Sequence, residues 1–304
     1  MKKKSLIFMF FSAMILIGIT SGLYVRRYVQ SKTVVFRLSS PKSDMDYDLL
    51  CAVRFLEYQF QKKGYRVLPW REGGEFYFNQ SAPASINVFV RGFSFFYDTR
   101  MDDKAVDVYY LHRLTSLYFE ELRNYDYYLT SQKGLINALK DRQNIGYFGV
   151  GAVPHSILES DYKYDVLYIY ETPNEMGEFL RTHYNIKAFN GIKFANLSET
   201  ERQNELKSAR LVFYDMDARW GDDVDYIPYA VFDVISYGRP IMTAFKPELE
   251  KIGASYLFRS PEDVPQILDR ALLEKDNIRE AKARALRDRI LKKQQLVLPD
   301  FKSN

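Results

Sequence analysis

The chain predicts an α/β protein: two doubly wound domains behind an N-terminal apolar helix. Three observations carry this. Strand-like and helix-like periodicities alternate along the body, the alternation pauses once near 150–160, and an uncharged run precedes it all. A length of 304 residues suits two domains of about 130–140 residues each after such a segment. The boundaries expected are 1–31 for the N-terminal anchor or signal, 32–153 for the first Rossmann-like domain and 154–304 for the second.

The N-terminal segment comes first. Lys2, Lys3 and Lys4 precede Ser5 to Val25, a run with no charged residue, rich in Leu, Ile, Phe and Met. At 1.5 Å per residue about 20 helical residues cross a hydrocarbon core of about 30 Å. A buried soluble helix would carry a polar face, and this run has none. A membrane helix or a signal peptide fits, and the lack of an A-x-A site favours an uncleaved anchor. Arg26, Arg27 and Lys32 balance the three leading lysines, so the charge rule leaves the side of the body open.

In the body, Thr33 to Leu38 reads as a buried strand. Asp44 or Asp46 can cap a helix whose Leu49, Val53, Leu56 and Phe60 share one face and which Gly64 stops. Cys51 lies off that stripe, as a small packed residue. Strands are expected at Tyr65–Trp70, Ile86–Val90, Ala105–Leu111, Tyr125–Thr130 and Ile145–Val150, with a loop over Glu72–Ser85 and helices over Leu114–Leu122 and Gln132–Lys140. Gly149 to Asp161 reads as the linker.

A second series follows: strand Tyr164–Tyr170, helix Asn174–Tyr184, short strand Lys187–Phe189. Ser198 and Glu201 form a capping-box pattern opening a helix to Ala209. Strand Arg210–Tyr214, helix Pro228–Tyr237 ended by Gly238, and strand Pro240–Ala244 come next. Pro261-Glu262-Asp263 opens a long helical region to about Gln295, broken near Lys275–Asn277. Alternation at this spacing means crossover units and mostly parallel sheets, which bind ligands at the carboxyl ends of their strands, here expected in the interdomain cleft.

Composition excludes several classes. One cysteine rules out an intramolecular disulfide scaffold, a Cys-rich zinc site and an iron–sulfur cluster. His112, His155 and His183 lack ligand spacing. The formal net charge of +4 is local to the N-terminus. Residues 1–32 hold six bases and no acids, which leaves 37 bases against 39 acids elsewhere. A mildly acidic body has no electrostatic footprint for nucleic acid, and no nucleic-acid partner is expected.

Residues 225–240 read D-Y-I-P-Y-A-V-F-D-V-I-S-Y-G-R-P. An acid, seven residues, a second acid, a glycine five on and a proline two further resemble the donor segment of GT-B glycosyltransferases. Asp225, Asp233, Gly238 and Pro240 fall on those positions. The wording is closer still to the spore-maturation CgeB-like family, and the resemblance runs loosely over 160–290. It implies that Asp233 holds the ribose of a nucleotide-sugar, that Asp225 orients the donor sugar, and that the helix start at Pro228 faces the diphosphate. A helix N-terminus and basic groups suit a diphosphate leaving group without a metal. No cofactor and no metal are expected. Asp215-Met216-Asp217 reads D-x-D, more often a polar turn than a metal site.

The chain also departs from that pattern. Ala230 stands where an arginine is common, and Glu171-Thr172-Pro173-Asn174-Glu175 replaces an Arg-containing glycine-rich turn. Both remove positive charge from the diphosphate's expected place. Arg37, Arg91, His112, Arg219 and Arg239 are possible substitutes, and His112 is the candidate general base. Phe93 to Tyr97 could stack on sugars. Two functions stay open: a membrane-anchored transferase moving a sugar from a nucleotide-sugar to a glycan or lipid acceptor, or a GT-B-shaped scaffold that binds a glycan or protein without catalysis.

Overall fold

A computed structural model describes residues 32–38, 41–72, 85–90, 105–112, 125–132, 134, 136–137, 144–215, 226–294, 298–299 and 301. The expected anchor, the helix over 114–122, most of that over 132–140, and Asp225, Arg91, Arg219, Asp217 and Phe93 to Tyr97 lie outside them. Among the described residues no helix is long and apolar enough to cross a membrane.

The described chain forms two separate parallel sheets. The first contains β1 (Thr33–Leu38), β2 (Arg66–Val67), β3 (Arg71–Glu72), β4 (Ile86–Val90), β5 (Val106–Leu111), β6 (Tyr127–Thr130) and β7 (Ile145–Tyr147). Its order is β2-β1-β4-β5-β6-β7, with β3 also pairing β1. Every residue of β1 and β4 is buried. That is what near-continuous apolar strands covered on both faces require. The expected single strand over 65–70 is instead two short pairings at opposite ends of β1, Thr33 with Arg66 and Arg37 with Arg71.

Helix α1 (Tyr47–Lys62) covers one face. Asp46 caps it, its carboxylate accepting from the Leu49 N–H at 2.7 Å. The expected stripe of Leu49, Val53, Leu56 and Phe60 is buried, and Cys51 with it. Gly64 ends the turn at φ +83°, a conformation that costs a residue with a Cβ.

After an irregular segment, the second sheet begins. Its elements are β8 (Tyr164–Tyr170), α2 (Glu175–His183), β9 (Ile186–Asn190), α3 (Gly191–Asn196), α4 (Glu199–Ser208), β10 (Ala209–Asp215), α5 (Tyr229–Ser236), β11 (Ile241–Ala244), α6 (Pro247–Lys251), β12 (Tyr256–Phe258), α7 (Val264–Leu273) and α8 (Asp276–Lys293). The strand order is β12-β11-β10-β8-β9. Asn174 caps α2, and the Ser198–Glu201 capping box is formed. Three short elements went unanticipated: α3, capped by Asn190, then α6 and β12. Each is too short for a periodic pattern to register.

Side chains of the second sheet alternate between two cores. Val166, Tyr168, Leu211, Phe213 and Met242 pack with Leu180 of α2 and Leu268 of α7. Leu167, Ile169, Val212 and Tyr214 join the core that also holds α5 and the first domain. The chain's end returns to the first domain: the Phe301 ring stacks on Phe60 at 5.8 Å, and Gln294 accepts from the Ala152 N–H.

Candidate functional site

The domains meet where α1 and α5 begin. All eight residues of α5 are buried. Its apolar side, with Val231 and Ile235, belongs to the shared core, and Tyr229 reaches across to stack on Phe148 at 5.7 Å. The Tyr229 hydroxyl donates to the Gly149 carbonyl at 2.7 Å.

Two carboxylates organise this interface. Asp48, in the first turn of α1, has 0 % exposure. Its Oδ1 accepts the Ala230 N–H at 3.1 Å, so it occupies the N-terminus of α5. Pro228, the residue before that helix, supplies no side-chain cap of its own. Oδ2 of Asp48 accepts from the Tyr226 hydroxyl and lies 3.2 Å from His112 Nε2. His112 Nδ1 is 2.8 Å from the Tyr110 hydroxyl. A buried anion thus gains an amide, a phenol and an imidazole, plus the positive end of the helix dipole.

Asp233 is the second carboxylate. The Tyr47 hydroxyl donates to its Oδ2 at 2.6 Å, and His155 Nε2 lies 3.1 Å from Oδ1. His155 stacks on Tyr237 with ring centroids 4.0 Å apart. Burial pushes the Asp233 carboxyl upward, but His155, the Tyr47 hydroxyl and the Arg54 charge outweigh it and hold it below the usual range. Burial, reinforced by Asp233, pushes the Tyr47 phenol well up.

The expected site residues therefore separate. Asp233 and His112 both sit at the interface, joined to neighbouring residues of α1. Asp233, which the resemblance implies holds a ribose, is buried between domains, with a partner on each oxygen. Gly238 ends α5 at φ +72°, and a Cβ there would lie 3.4 Å from Ile157. Its observed role is the turn. Asp225 lies outside the described residues. Of the possible replacement bases, Arg37 and Arg239 are held structurally: Arg37 donates to Asn87 at 2.9 Å, and Arg239 donates to Ser160 and to the Ala209 carbonyl. Asp215 accepts from Tyr168 at 2.5 Å and from Asn174 at 2.8 Å, holding the cap of α2.

Sequence reasoning missed Tyr47, Asp48, Tyr226 and His155. The first two stand in the D-Y-D run at 46–48, read only as a helix start. Tyr226 stands between the two acids of the donor-like segment, and His155 in the linker.

A cavity of about 980 Å³ opens at the carboxyl edge of the second sheet, on the face covered by α2 and α7. It sits by the point where the strand order reverses: β8 continues to β9 on one side, while β10, β11 and β12 run out on the other.

Comparison with known proteins places the fold. No protein-family model matches the chain, and no curated protein does. Among solved structures, an α-glucosyltransferase in complex with UDP and a 13-mer DNA containing a central A:G mismatch superposes with a TM-score of 0.56. Identity is 7 %, over 86 % of this chain and 95 % of that one. The chain thus shares the overall fold of that α-glucosyltransferase, two parallel α/β sheets. S. aureus TarM, in complex with Fondaparinux, alpha-GlcNAc-glycerol and UDP, matches at TM-score 0.44 and 11 % identity, over 69 % of this chain and 53 % of TarM. An α1,3-fucosyltransferase with GDP matches at 0.36 and 9 %, over 88 % of this chain and 96 % of that one. The chain thus spans about half the length of TarM.

Proposed function

We propose that this is a membrane-anchored glycosyltransferase-like protein that works as a glycan-binding module, its interdomain donor position closed by its own side chains. The observation that carries the reading is the Asp48 carboxylate on the Ala230 N–H. In the resemblance that residues 225–240 carry, that helix start would face a diphosphate. A carboxylate already there satisfies the amide, and its charge opposes a second anion. Asp233, the expected ribose partner, has both oxygens engaged. Ala230 and the acidic Glu171–Glu175 turn also lack the positive charge that the resemblance calls for. Ser5 to Val25 supplies the anchor, and a glycan or lipid-linked chain is the partner.

A second reading is favoured by one pattern. Asp225, Asp233, Gly238 and Pro240 keep the spacing of a nucleotide-sugar site, in wording closest to the CgeB-like family. On this reading the protein is a metal-independent transferase. Its domains part along the α1–α5 contact, freeing Asp233 for the ribose and His112 as base. Calorimetry with UDP, GDP and their sugars separates the two. The binding-module reading expects no nucleotide binding to the full-length protein at about millimolar concentration. Tight binding with sugar transfer ends it and leaves the transferase.

A further inference from the structure

We propose that the cavity at the carboxyl edge of the second sheet binds a neutral sugar ring, on a face separate from the α1–α5 interface. This deepens the glycan-binding reading by giving it a place and a ligand chemistry.

Location comes first. β8 leads to α2 on one face of the sheet and β10 leads to α5 on the other, so the strand order reverses between β8 and β10, the place where such sheets open a crevice. Here α2 and α7 wall it, and Phe213 and Phe258, from the core they cover, reach its lining. Asp48, Tyr226 and Asp233 belong to the other face. At about 980 Å³ the cavity has the upper size of a small-molecule site and accommodates one or two sugar residues.

The lining selects the ligand class. Met176, Phe213, Phe245 and Phe258 give an apolar surface suited to the C–H face of a sugar. Glu175, Asp215 and Glu262 offer only acceptors when ionised, whereas Lys246 and Arg259 offer only donors. The Arg259 guanidinium is fixed 3.6 Å above the Phe245 ring, and Lys246 is buried to 5 % exposure. Asp215 is held at the edge by Tyr168 and Asn174. A hydroxyl both donates and accepts, so a polyol can answer both sets at once. Among the lining side chains a phosphate finds positive charge only on the two bases, and it meets three carboxylates. An amine cation answers the carboxylates and meets the two bases.

The test uses the full-length protein in a zwitterionic detergent free of sugar headgroups. Glucose, N-acetylglucosamine, glucose 6-phosphate and UDP are the separate probes, read by saturation-transfer NMR and calorimetry. We expect the two neutral sugars to bind at about millimolar affinity, and glucose 6-phosphate about tenfold more weakly. Arg259→Ala should weaken the neutral sugars about tenfold, and Glu262→Gln by a smaller factor in the same direction. Glu262 is exposed at the rim, so its amide variant keeps the test valid if Arg259→Ala does not fold. The proposal is overturned if neither neutral sugar binds, if glucose 6-phosphate binds more tightly, if folded variants leave affinity unchanged, or if UDP displaces the sugar. UDP binding without displacement leaves the cavity assignment standing and counts against the closed donor position alone.

Discussion

On the face of the second sheet turned toward the first domain, α5 starts against the buried carboxylate of Asp48. On the opposite face, α2 starts at the rim of an open cavity, under a cap supplied by Asn174. Both helices leave the same sheet edge, and both N-termini present amide donors. They differ in what satisfies those donors and in what surrounds them. At α5 the partner comes from 182 residues away, and eight buried residues seal the contact. At α2 the partner is local, and the space beyond stays open. In this fold a carboxylate from the facing domain can close one helix start while the neighbouring one remains available to solvent.

Breaking the closed face should have the largest effect. Asp48→Ala leaves the Ala230 amide and the Tyr226 hydroxyl without their buried acceptor and should cost about 3 kcal/mol. Urea denaturation measures it. A loss under about 1 kcal/mol would mean that water replaces the carboxylate easily and that the face is not sealed.

The Tyr47–Asp233 pair comes next. A double-mutant cycle of Tyr47→Phe and Asp233→Asn should give a coupling of about 1.5–3 kcal/mol, as for hydrogen bonds to a charged group. Additive losses would show that the 2.6 Å contact contributes little. The same carboxylate sets a pH dependence. Its folded pKa lies below the unfolded value. Its contribution is therefore complete above an unfolded pKa of about 4 and is lost as pH falls through the folded value. Stability of the wild type should drop across that acid window more steeply than that of Asp233→Asn. Parallel curves would sink this assignment.

On the open face, Arg259→Ala should cost only about 0.5–1 kcal/mol, the worth of an exposed cation–π contact. A loss as large as that of Asp48→Ala would make Arg259 a core residue and erase the contrast between the faces. The smallest effect on stability is expected from deleting residues 1–31. The shortened body should unfold within about 0.5 kcal/mol of the full chain, since the deletion falls before β1. It should also leave the membrane fraction, whereas pelleting after a high-salt wash would point to a second lipid-binding surface.

Much of the fold was legible because its determinants are local. The β-branched-rich run Thr33–Leu38 is β1, the i, i+4, i+7 spacing from Leu49 buries one face of α1, and Ser198 with Glu201 caps α4. Such patterns need only neighbours in sequence. α3, α6 and β12 escaped because a few residues hold no full period. The acids of the interface were visible too, but their roles were not. Asp233 was read by its spacing to Gly238 and Pro240, which says where it sits on a helix and nothing about which side chain faces it.

The sequence by itself determined the two alternating series, the caps at Asp46 and Ser198 and the glycine at φ +72° that ends α5. Only the tertiary structure decided that Asp48, rather than a ligand, meets the Ala230 amide, and that Tyr47 and His155 take both oxygens of Asp233. The physical reason is range. A helix or strand is set by side chains a few residues apart. A buried carboxylate takes whichever donors the packing of two domains delivers, and those donors come from 78 to 186 positions away.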